Sequence, residues 1–143
     1  MITWAESKSI RSKVMKKILL SFALILSVCL FAQAQSEKTV NFEKGKTSAV
    51  VTGVLNGDKY IDFVVNVRQG QIMYLMLTPE LKTHLTIYDP DKDNVPDAFE
   101  IGGAMLPLDY SGNYTIRVRL WEKYRKQKSG IPFTLKIEVK DDE

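Results

Sequence analysis

The sequence is poor in the residues that most enzymes use for chemistry. Its 143 residues hold one cysteine, Cys29, and one histidine, His84. A single thiol excludes a disulfide framework within the chain and a multi-thiolate zinc site, so a folded domain must be held by its core. A Ser-His-Asp arrangement would have only His84, which sits between Thr83 and Leu85 in a stretch that reads as strand. No glycine-rich phosphate loop is present. No catalytic residue and no cofactor are expected, and the chain reads as a non-enzyme.

Long apolar runs are also lacking. The longest, Ile18 to Phe31, is shorter than the about 20 residues needed to cross a bilayer. It follows Met15-Lys16-Lys17 and ends in Ala32-Gln33-Ala34, which is the order of a secretory signal: positive start, apolar centre, small-x-small cleavage site. Residues 1–34 therefore read as a signal peptide whose true start is Met15, with residues 35–143 as the exported domain, periplasmic or secreted. Cleavage after Ala34 removes Lys8, Arg11, Lys13, Lys16, Lys17 and Glu6, taking the formal net charge from +3 to −1. The basic balance of the whole chain thus belongs to its leader. It argues for neither nucleic acid nor an anionic membrane as a partner of the exported part.

What the exported part does have is alternation at period two, with no sustained helical period. Strands are expected at Val40–Phe42, Ala49–Leu55, Lys59–Val67, Gln71–Leu77, His84–Tyr88, Ala104–Leu108, Tyr114–Leu120 and Phe133–Val139. Ile61, Phe63, Val65 and Val67 form one core face, and Phe133, Leu135, Ile137 and Val139 another. Gln71–Leu77 is apolar on both faces, as a central strand covered on two sides would be. Asn56-Gly57-Asp58 and Arg68-Gln69-Gly70 read as tight reversals. About eight short antiparallel strands at this spacing indicate an all-β fold, a single β-sandwich.

Two segments could carry binding. Asp89, Asp91, Asp93, Asp97 and Glu100 fall in a calcium-loop register. Asn94 and Pro96 stand where such a loop wants other residues, and an Asp-rich turn capping its own backbone is the competing reading. From Arg117 to Lys128 six basic residues face one acid, Glu122, with Trp121 and Tyr124 among them. Aromatic residues beside arginine on an exposed loop are the composition of an interface. Arg117 and Arg119 share one face of their strand and are expected to meet solvent.

Gly70-Gln71, Ile87-Tyr88-Asp89-Pro90 and Ser111-Gly112-Asn113-Tyr114 followed by Arg117-Val118 resemble two related groups. One is the bacterial pre-peptidase C-terminal β-sandwich. The other, closer in length and export, is the family of periplasmic inhibitors of goose-type (g-type) lysozyme. The resemblance extends through Asn41-Phe42-x-Lys44-Gly45 and Gly53, and it departs at Asp58 and Glu122, where the family carries tyrosine and arginine. It implies an inhibitor that occludes the enzyme's cleft with a Ser-Gly-x-Tyr hairpin and the basic loop beside it. The contact set implied is Ser111, Gly112, Asn113, Tyr114, Arg117, Arg119, Arg125 and Lys126, and the partner is g-type lysozyme. The alternative is a non-catalytic accessory sandwich that binds calcium or extracellular glycan through Asp89 to Glu100.

Overall fold

The computed structural model describes residues 3–29, 36–96, 99–100 and 102–142. Two compact units divide the chain, Met1–Ala34 and Gln35–Glu143. In the first unit, α1 spans Trp4–Cys29. Thr3 caps it: the Thr3 backbone N–H and hydroxyl both donate to Glu6 Oε2, at 3.0 and 3.1 Å, a capping-box contact. Among the described residues no helix is long and apolar enough to cross a membrane. The expected cleavage site, Ala32-Gln33-Ala34, lies outside the described residues.

The second unit is a β-sandwich. Its strands are β1 (Ser36–Thr39), β2 (Ser48–Leu55), β3 (Tyr60–Val67), β4 (Gln71–Thr78), β5 (Thr83–Tyr88), β6 (Phe99–Glu100), β7 (Gly103–Pro107), β8 (Gly112–Leu120) and β9 (Ile131–Asp141). One sheet has the order β1-β3-β8-β5 and the other β2-β9-β4-β7-β6. The first strand lies earlier than Val40–Phe42 and pairs parallel to β3, Ser36 opposite Ile61. Every other pairing between these strands is antiparallel.

The alternation reading places most of the core, although Ile61 is only partly buried at its edge. Phe63, Val65 and Val67 are buried from one sheet, and Phe133, Leu135, Ile137 and Val139 from the other. The Phe63 and Phe133 rings meet edge to face across the sandwich, centroids 6.1 Å apart. Gly53 of β2 sits opposite Phe133. A Cβ there would come within 2.7 Å of the Phe133 ring, so that ring occupies the space a side chain at position 53 would need.

The reversals are where expectation and structure part. Asn56–Lys59 joins β2 of one sheet to β3 of the other, and Arg68–Gly70 joins β3 to β4 across the same gap. Neither closes a hairpin. Strand β4 is central, between β9 and β7, yet only its Met73, Leu75 and Leu77 face is buried. Met76 on the other face is 62% exposed, so that face meets solvent rather than a second layer.

Candidate functional site

Strand β8 carries both candidate segments, one at each end. Gly112 at its start pairs with Val67 of β3, and Arg119 near its end pairs with Tyr60. At about 3.3 Å per residue, its nine residues separate the two ends by roughly 27 Å. The Ser111 turn and the basic loop are therefore not side by side. The turn is not a hairpin either, because β7 pairs with β4 in one sheet while β8 pairs with β3 and β5 in the other.

At the first end, the turn is fixed by hydrogen bonds to the β3–β4 connection. The Gln69 N–H donates to Ser111 Oγ at 2.8 Å, and Asn66 Nδ2 donates to Asn113 Oδ1 at 2.8 Å. The Gly70 N–H donates to the Leu108 carbonyl at 2.9 Å, and Leu108 returns one to Gln71 at 2.9 Å. Asp141 Oδ1 accepts from Arg68 and Gln71 beside them. Gly112 has φ +137°, and a Cβ on it would lie 3.1 Å from Pro90. Both facts favour glycine there. Ser111 and Asn113 remain exposed.

Tyr114 is different: it is 2% exposed and belongs to the core. Burial pushes its hydroxyl up in pKa, while a hydrogen bond from the Tyr110 backbone opposes the shift. A tyrosine bonded to backbone a few residues upstream is a corner device of β-sandwiches. Its part in any contact is to hold the turn, since its ring is not at the surface.

The acidic loop packs near this end. Asp89 Oδ1 accepts the backbone N–H groups of Asp91 and Asp93, both at 2.9 Å, the self-capping arrangement. Lys92 adopts φ 69° and reaches Thr115 Oγ1 at 3.1 Å. Among the described residues no group of three or more His, Cys, Asp or Glu could hold a metal ion. Asp97 lies outside the described residues, as does the side chain of Glu100.

The middle of β8 holds an arrangement that sequence reasoning missed. Arg117 is not a free solvent-facing cation. It donates from Nε and Nη2 to the two oxygens of Asp62, each at 2.8 Å. Its guanidinium also lies 3.7 Å from the Tyr60 ring centroid and 5.1 Å from that of Tyr88. The hydrogen bond to Asp62 raises its pKa further. Cross-strand register brings these residues together, and no spacing along the chain reveals it. Arg119, one pair further on, is exposed.

At the far end, Trp121 begins the loop that follows β8. Its ring packs at 75° against His84, centroids 4.3 Å apart. Burial, then the charges of Arg119 and Arg125, hold the His84 imidazole below its ordinary pKa. Arg125 turns inward, donating to the Leu120 carbonyl at 3.2 Å and to Asp58 at 3.3 Å. Asp58 thus ties the β2–β3 turn to the basic loop. Lys126 stays exposed. A cleft of about 980 Å³ opens here between Leu77, Leu81, Trp121 and Lys126.

The sandwich is similar to that of PliG. The chain superimposes on Aeromonas hydrophila PliG, a periplasmic inhibitor of g-type lysozyme, with TM-score 0.66 and 20% identity, covering 73% of this chain and 96% of that one. Salmonella Typhimurium PliG gives 0.63 at 23% identity over 75% and 100%. A mutant of Escherichia coli PliG gives 0.61 at 24% over the same shares. No family model and no curated protein matches the chain. At these identities the likeness establishes the all-β sandwich and spans nearly the whole of each PliG chain.

Proposed function

We propose that residues 35–143 act as an exported inhibitor of g-type lysozyme, and that the Ser111–Asn113 end makes the contact. One observation carries the reading. Each acceptor oxygen of this turn takes one bond inside the fold, Ser111 Oγ from Gln69 and Asn113 Oδ1 from Asn66, which fixes how both side chains point. The exposed tip keeps two donors, the Ser111 hydroxyl hydrogen and the Asn113 amide, beside one open lone pair on each oxygen. Muramidases work with paired carboxylates in their clefts, and donors on a rigid tip can bond those carboxylates and exclude the glycan. Rigidity lowers the entropy lost on binding. The similarity to three PliG structures over almost their full length supports the same role, and so does the signal-like order of residues 15–34 in the sequence.

The basic loop takes a lesser part in this reading than its composition suggests. It lies at the opposite end of β8, and Arg125 is tied to Asp58 and Leu120. The test is inhibition of cell-wall lysis by the purified protein, run against g-type and chicken-type lysozymes in parallel. Selective loss of g-type activity at submicromolar inhibitor is expected. Full g-type activity at micromolar excess would remove the proposal.

A further inference from the structure

The cleft at the Trp121 end is not used by the inhibitory reading. It is lined by the apolar Leu77, Leu81 and Leu85 and by two carboxylates and two ammonium groups, Glu80 and Glu122 with Lys123 and Lys126. About 980 Å³ is the size of a small-ligand site. Trp121 lines it and is 45% exposed, and Leu81 is 67% exposed. A large amphipathic ring left on a concave surface is a platform for a ligand with its own apolar face.

The charges at this end favour an anion. The loops here carry Lys59, Lys82, Lys123, Arg125, Lys126 and Lys128 against Asp58, Glu80 and Glu122. Arg125 is already paired with Asp58. Among the described residues Lys123 and Lys126 enter no ion pair. Two lysines lining this cleft are placed to meet a carboxylate, while its own carboxylates can accept hydroxyl hydrogens. A sugar ring offers both an apolar C–H face and a girdle of hydroxyls.

We infer that this cleft binds a carboxylated saccharide, the ring against Trp121 and the carboxylate between Lys123 and Lys126. The site is at the other end of β8 from the Ser111 tip, so it stands or falls separately from lysozyme inhibition.

Trp4 and Trp121 are the two tryptophans of the chain. In the full chain carrying Trp4→Phe, indole fluorescence therefore reports on the cleft alone. The probes are the disaccharide N-acetylglucosaminyl-N-acetylmuramic acid and neutral di-N-acetylchitobiose, which lacks its lactyl carboxylate. A saturable change with the carboxylated sugar is expected, at least tenfold tighter than with the neutral one. Lys123→Glu with Lys126→Glu should weaken it at least tenfold while leaving circular dichroism unchanged. Calorimetry on Trp121→Ala should show the same loss without relying on fluorescence. No saturable signal from the carboxylated sugar, equal affinity for both sugars, or indifference to the lysine reversals would each overturn the inference.

Discussion

The two ends of β8 are built from different materials. At the Ser111 end the turn is fixed by neutral hydrogen bonds between connections, with the exposed Arg68–Asp141 pair beside them, and the large ring directly after the turn, Tyr114, is buried. At the Trp121 end the loop is basic, an indole stays partly exposed, and a cleft opens beside it. One end is a rigid tip suited to entering another protein's cleft. The other is itself a cleft. Between them, the Asp62–Arg117 pair stacked with Tyr60 and Tyr88 stiffens the strands that hold both. Fifteen residues of sequence, 111 to 125, thus span two ends of one strand roughly 27 Å apart.

The contrast is sharpest when each end is altered alone. Ser111→Ala with Asn113→Asp removes the two donors, keeps an acceptor for Asn66 and costs the Gln69 N–H its side-chain acceptor. Inhibition of g-type lysozyme should fall about a hundredfold, a loss of hot-spot size, while circular dichroism shows the domain still folded. Lys126→Glu at the far end should change it less than threefold. Equal effects in a lysis assay would merge the two ends into one interface.

A smaller effect is expected from the connecting pair. Asp62→Ala strips Arg117 of its bidentate partner where Asp62 is only 13% exposed in its side chain. A cost of about 2 kcal/mol follows for hydrogen bonds to a charged group, measured by urea unfolding. Both ends should keep their separate activities well below the midpoint. Loss of one end alone would show that the pair serves that end rather than the frame.

The smallest effect is on pH dependence and marks the Trp121 end. Folding lowers the His84 pKa, chiefly through burial, so the unfolded chain holds the proton more readily. Stability should therefore fall as pH drops below about 6.5 and level off below the folded value. The thermal midpoint should fall with it over the same range. His84→Gln should remove this fall, and a dependence that survives this change would assign it elsewhere.

Much of the fold was legible because burial is written at period two. Phe63, Val65 and Val67, and Phe133 through Val139, declare which side faces inward without reference to any partner strand. The self-capping of Asp89 was legible too, since its partners are two and four residues away. The Asp62–Arg117–Tyr60–Tyr88 cluster was not, because its members meet only through the register of β3, β8 and β5. The burial of Tyr114 was not legible, because a Ser-Gly-x-Tyr turn looks the same whether its ring packs inward or outward.

The residues alone determined the positions of the longer strands, most of the inward faces and the chemical character of each loop, since these rest on local stereochemistry and the cost of exposing apolar surface, whereas the short β1 and β6 were not foreseen. Which strands pair was decided only in three dimensions. Successive strands β2 to β6 alternate between sheets, so turns that look like hairpins are crossings. A turn's composition fixes that the chain reverses, but only packing of the two inner faces fixes what it reverses onto. That choice set the Ser111 tip and the Trp121 cleft at opposite ends.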